Sequence, residues 1–179
     1  MKKLVVLAAL MVAGFVAAVA QPRAIGGRLG YGVEFSYEHG LGDNMLSIDA
    51  GLNGFTGVQA AVTYDWIFNI SSWEHKGEWN WYVGVGGAAG FGWSLYRDYY
   101  YDYDGYGYVA KYGYNRIGFG VAGRIGVEYN FWFPLQLSVD WRPVIGPQIL
   151  LGADPDVINP VRFYDDGMYS VCLGVRYKF

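Results

Sequence analysis

The sequence predicts an all-β chain: eight antiparallel strands in an up-and-down barrel that crosses a membrane. Three observations point there. Large apolar residues alternate with small or polar ones through most of the chain after residue 24, the period of a strand whose two faces meet different surroundings. The apolar series is heavy with Trp, Tyr and Phe, whereas the other series is mostly Gly, Ala and Ser with scattered charges. The 17 Tyr, 7 Trp and 27 Gly suit crowded β surfaces and tight turns.

The first twenty residues read as an export signal. Lys2 and Lys3 precede an uncharged apolar run from Leu4 to Ala17, and Ala18-Val19-Ala20 offers a small-x-small cleavage site. The run is short for an anchor helix, and no cysteine at the site would take a lipid. The expected domains are a cleaved signal over 1–20 and one barrel over 21–179. Cleavage leaves 159 residues with 11 Lys+Arg against 16 Asp+Glu, a net charge of −5, which gives no reason to expect nucleic-acid binding. Cys172 is the sole cysteine, so no intramolecular disulfide braces the fold.

The strands follow in order. Ile25, Gly27 and Leu29 alternate with Gly26 and Arg28. Val33, Phe35 and Tyr37 alternate with Glu34, Ser36 and Glu38. Leu46 to Leu52, Val58 to Trp66, Trp81 to Trp93, Ile117 to Tyr129, Leu135 to Trp141 and Tyr169 to Phe179 repeat the pattern. Gly30-Tyr31-Gly32 reads as a three-residue hairpin that sets Leu29 opposite Val33. Splitting the chain there gives eight strands, the even count that an antiparallel barrel with both ends on one side needs. A two-residue turn at Asn53-Gly54 would put Leu52 and Phe55 out of step with Val58, so three turn residues or a bulge are expected.

Volume decides which face is inside. A soluble barrel of the lipocalin type also alternates, apolar face inward. An eight-stranded barrel has an interior only just wide enough for its side chains; the aromatic series would not fit there and the small one would. The outward series holds about 40 positions without one Asp, Glu, Lys or Arg, although the chain is 16% charged, and a cation there at mid-bilayer costs about 2–4 kcal/mol. The inward series collects Arg28, Arg124, Arg142, Arg176 and Lys178 against Glu34, Glu38, Asp49, Asp65, Glu128 and Asp140. The preferred reading is a plug of salt bridges, since unpaired charges in a narrow lumen are costly; the alternative is an ion or proton path.

Both chain ends are expected in the periplasm, with 94–116 and 143–168 as long extracellular loops and 130–134 as a short periplasmic turn. Tyr37, Trp66, Phe68, Trp79, Trp81, Tyr129, Trp132, Tyr177 and Phe179 then gather at the periplasmic rim, where aromatic rings favour a lipid–water boundary. The connection 68–79 is long for that side.

The closing segment, with Leu173, Val175, Tyr177 and a final Phe179, resembles the small eight-stranded outer-membrane barrels of Gram-negative bacteria, of the OmpX and OmpA-barrel type. AIGGRLG, EFSYEH, LSVDWRP and RYKF resemble a family of largely uncharacterised small barrels of the same membrane. The resemblance implies residence in that membrane, contact with its lipid and lipopolysaccharide, and insertion by the barrel-assembly machinery, with Tyr177 and Phe179 as the assembly signal.

Residues for chemistry are few. His39 and His75 fall in predicted periplasmic turns and read as solvated; Ser71 and Ser72 lie near His75 without an oxyanion scaffold. Residues 96 to 114 concentrate tyrosines, among them Tyr99, Tyr100, Tyr101, Tyr103, Tyr106 and Tyr108. They suit either a recognition surface or two strands prolonged beyond the membrane and packed by cross-strand rings, the preferred reading. Asp102, Asp104 and Gly105 match a calcium loop poorly, since Tyr100 and Lys111 occupy ligand positions. Asp154, Asp156, Asp165 and Asp166 make the other loop acidic, and Cys172 reads as lumen filling. The expectation is a monomeric barrel with a plugged lumen, serving envelope structure or surface interaction, without catalytic residues, cofactor or metal. The alternatives are a narrow pore or a lipid A-modifying enzyme.

Overall fold

The structure, a computed structural model, describes residues 22–54, 56–73, 76–100, 108–151, 159, 161–164 and 171–179. Its strands are β1 (Pro22–Leu29), β2 (Val33–Leu41), β3 (Asn44–Leu52), β4 (Gly57–Asn69), β5 (Glu78–Tyr100), β6 (Tyr108–Asn130), β7 (Gln136–Trp141), β8 (Val144–Leu151), β9 (Val161–Tyr164) and β10 (Val171–Lys178). Each of β1 to β6 pairs antiparallel with the next; β6 pairs with β7, β7 with β10, and β10 with β1. The ring closes with eight staves. The seam between β10 and β1 closes the ring, and closure removes the open edges that a flat sheet would have there.

The seventh stave is made of two strands. β7 and β8 hold one register against β6, with Ile125 opposite Trp141 and Ala122 opposite Val144. Between them Pro143 has no N–H to give, yet its carbonyl accepts from the Gly123 amide at 2.9 Å. The strand pauses without leaving the wall. This corrects the long loop expected over 143–168: Val144–Leu151 is β8, and Val161–Tyr164 returns beside it as β9. Over 94–116 the preferred reading of two prolonged strands holds, in place of an open loop. β5 and β6 stay paired from Glu78 opposite Asn130 up to Tyr100 opposite Tyr108, 23 residues each against eight in β1.

The turns follow local chemistry. Leu29 stands opposite Val33 across Gly30-Tyr31-Gly32. Leu41 stands opposite Asn44 across Gly42-Asp43, where Gly42 takes φ +65°, a conformation that costs glycine nothing. At the third connection Gly54 takes φ +61°, and the Asn53 amide bonds the Gly57 carbonyl at 2.9 Å, with three residues between them as expected. Leu52 and Val58 pair, so both keep to the outer face. The connection 70–77 carries a single 3-10 turn at Ser71–Trp73.

The faces divide by size and charge. Val121 is 62% exposed, Leu173 57% and Phe35 56%, whereas Arg28, Arg124 and Arg176 are at most 2% exposed. β5 and β6 turn small residues inward: Gly86, Ala88 and Gly90 pair with Ala122, Gly120 and Gly118, while Gly84 stands opposite Arg124 and Gly126 opposite Tyr82. Close approach requires it. A methyl at Gly84 would stand 1.8 Å from Asp65 Oδ1, and one at Gly126 2.6 Å from the Tyr82 ring.

Stacked and edge-on rings gather at the rim that carries Pro22 and Phe179: Phe68 on Trp81 at 4.4 Å, Trp79 on Tyr129 at 4.8 Å, and Tyr177 on Phe179 at 5.2 Å. The turns 42–43, 70–77 and 131–135 lie at this same rim, called the lower rim below.

Candidate functional site

The site is the lumen, and its charges come from every side of the ring. Inward positions of β1 and β2 supply Arg28, Glu34 and Glu38; β3 and β4 supply Asp49 and Asp65; β6 supplies Arg124 and Glu128; Asp140, Arg142 and Arg176 come from the seventh and eighth staves. Alternation alone puts them there, because each sits at the parity opposite its outward neighbours.

The pairing forms two tiers. In the upper tier Arg28 bonds Glu34 and Asp140 and lies 3.4 Å from Asp49. Arg124 reaches Asp65 and Asp140, both at 3.2 Å, and Arg142 reaches Asp49 at 2.7 Å and also Glu34. Hydroxyls complete the carboxylates: Ser36 donates to Asp49 and Ser47 to Asp65, each at 2.6 Å, and Tyr82 donates to Asp140 at 3.2 Å. The Arg124 guanidinium also lies over the Tyr82 ring, 5.1 Å from its centre, a cation–π contact.

In the lower tier Arg176 lies 3.2 Å from Glu38 and donates to Ser36 at 2.9 Å and Ser138 at 2.7 Å. Gln136 bridges Glu38 at 3.0 Å and Glu128 at 2.7 Å, while Asn80 and Asn130 donate to Glu128. Arg23, which has no place in the alternating pattern, completes this tier by bonding Glu38 at 2.8 Å and Glu128. The β1–β2 register slips between Pro22 and Ala24. Such a bulge re-aims a side chain, and here both Arg23 and Ala24 leave the outer wall. Nothing in the local sequence announces the slip.

Five arginines thus meet six carboxylates in the lumen. Lys178 is half-buried at the lower rim and makes no ion pair among the described residues. Charge-assisted bonds of this number, in a lumen only just wide enough for its side chains, hold these five arginines in place.

The remaining candidates separate. His39 is corrected: it lies within β2, is 5% exposed, and its Nδ1 stands 3.2 Å from the Tyr37 hydroxyl, so it is no solvated turn residue. His75 lies outside the described residues, as do the signal segment 1–20, Tyr101, Tyr103, Tyr106, and the aspartates of both upper loops. Tyr99, Tyr100 and Tyr108 hold facing ends of the β5–β6 ribbon, Tyr100 opposite Tyr108. Tyr177 and Phe179 are exposed on the outer wall. Cys172 is half-buried on the lumen side of β10, opposite Asp140 in register. Among the described residues no group of three or more His, Cys, Asp or Glu is arranged to hold a metal ion. Comparison with family models, with curated proteins and with solved structures gave no match.

Proposed function

We propose that this chain is an integral barrel of a Gram-negative outer membrane, its lumen closed by a salt-bridge plug, with a role in envelope structure or surface contact. One observation carries the reading: the wall exposes residues such as Val121, Phe119, Leu173 and Trp93 all round, while its charges are turned inward and buried. A continuous apolar exterior of this extent calls for lipid around it. The ring-rich lower rim suits a lipid–water boundary, and the prolonged β5–β6 ribbon rises from the opposite rim, as extracellular extensions do. On this reading lipid and lipopolysaccharide meet the wall, the barrel-assembly machinery inserts it, and the tyrosine-bearing β5–β6 ribbon rises above the outer leaflet as the contact surface.

The deciding experiment is mobility of the membrane-extracted protein in detergent gels before and after boiling, with fractionation of the envelope. A folded barrel migrates apart from the heated chain and follows the outer membrane; a single mobility and a freely soluble monomer would refute the reading. The paired lumen supports a plug over a pore, and planar-bilayer recordings without discrete conductance steps are the expected outcome. Lipid A from cells with and without the protein is expected to have the same mass spectrum.

A further inference from the structure

Above the plug lies Arg116, a cation that the plug does not use. Arg116, on the inward face of β6, is half-buried and has no ion-pair or hydrogen-bond partner among the described residues. Gln148 of β8 lies on the adjacent stave, one inward step away, since Gly118 is its register partner; its amide also lacks a partner among the described residues. Both line one small cavity of about 10 Å³, together with Asn53, Val58, Phe91 and four glycines. That is room for roughly one water-sized species. The glycines shape it: a methyl at Gly92 would stand 2.5 Å from Arg116 Nε, so the guanidinium lies where that side chain is missing.

A guanidinium carries only donors, and the Gln148 amide offers two N–H donors beside its carbonyl acceptor. A charge withdrawn from bulk water is costly unless a counter-charge meets it. The carboxylates of the upper tier are already bonded to Arg28, Arg124 and Arg142. We propose that Arg116 and Gln148 form a binding site for a single small inorganic anion of halide size at the upper mouth of the lumen. The cavity is too small for a sugar or a whole phosphate-bearing headgroup, and the site stands whether or not the outer wall meets lipid.

The test is ³⁵Cl line broadening with the purified barrel folded in a zwitterionic detergent, chloride being varied against gluconate. Wild type is expected to give saturable excess broadening that bromide displaces. Arg116→Gln is expected to weaken binding on the order of tenfold or more, the scale of a lost charge-assisted bond, with Arg116→Lys weakened less; Gln148→Leu is expected to weaken it a few-fold, as for one neutral donor. Gel mobility before boiling verifies folding of each variant. No saturable broadening in wild type, or undiminished broadening in folded Arg116→Gln, overturns the site. Should Arg116→Gln fail to fold, undiminished broadening in Gln148→Leu does the same.

Discussion

Arg124→Met tests whether the plug holds the barrel together. Arg124 is 2% exposed and lies within 3.2 Å of Asp65 and of Asp140, and 3.9 Å from Asp49. Asp65 has no other cation within 4 Å among the described residues; Ser47 and Thr63 supply its remaining bonds. Methionine fills much of the volume and leaves four lumen arginines against six carboxylates. Breaking a buried ion pair from one side costs about 3–5 kcal/mol. Asp65→Asn alone removes charge-assisted bonds, a loss of about 1.5–3 kcal/mol. Together the two changes restore the original excess of one carboxylate, because the group stranded by the first is the one neutralised by the second. The double variant is therefore expected to cost less than the sum by about 1–3 kcal/mol, the range for residues in one network. The assay is urea titration of the barrel folded into phosphatidylcholine vesicles, read by tryptophan fluorescence and by unboiled gel mobility. A double-variant cost within about 0.5 kcal/mol of the sum would refute the claim that these residues act as a pair.

Three further outcomes follow from the same coordinates. Val121→Arg, at a position 62% exposed, should cost about 2–4 kcal/mol in vesicles if lipid faces it; a change within about 0.5 kcal/mol, as on a wetted surface, would count against the membrane reading. Gly84→Ala drives a methyl to 1.8 Å from Asp65 Oδ1 and 2.6 Å from the Tyr64 carbonyl and should destabilise by about 1–3 kcal/mol, while Gly87→Ala, with its nearest atom 3.8 Å away, should be close to neutral in the same titration. Arg23→Ala leaves Glu128 without a cation within 4 Å among the described residues, so its folding midpoint in urea should fall, with Arg23→Lys recovering part of the loss; an unchanged midpoint would show that the bulge side chain is decorative.

The ring itself was legible because a half-wet strand writes its period directly into the chain. Leu29, Val33, Leu52 and Val58 occupy the pairings and the face that alternation assigns them. What escaped has physical causes. β8 is VIGPQILL: its inward residues Val144 and Leu150 are as apolar as the outward Ile145 and Ile149, so contrast between the faces fades, and two prolines read as breakers. Pro143 is nevertheless tolerated because only its missing N–H is lost while its carbonyl keeps its bond. Arg23 escaped because a bulge breaks the parity rule that found the other arginines. His39 lies beyond the alternating run that ends at Glu38, yet β2 continues to Leu41 and takes it into the strand. The upper cavity escaped for another reason: an inward Arg116 looks the same in the sequence whether or not a carboxylate answers it.

The plug also bears on the order in which the molecule can be made. Arg28 lies 112 residues before Asp140, and Arg23 lies 105 before Glu128. These partners sit on the first stave and on the sixth and seventh, so an open, partly wound sheet holds the cations far from their carboxylates. Until the last seam between β1 and β10 zips, these long-range pairs cannot form, although near neighbours such as Arg28 with Glu34 and Arg124 with Asp140 can. Attraction that arrives only at the final step makes that seam the one on which the finished cylinder depends, and, on the membrane reading, makes open intermediates poor company for hydrocarbon.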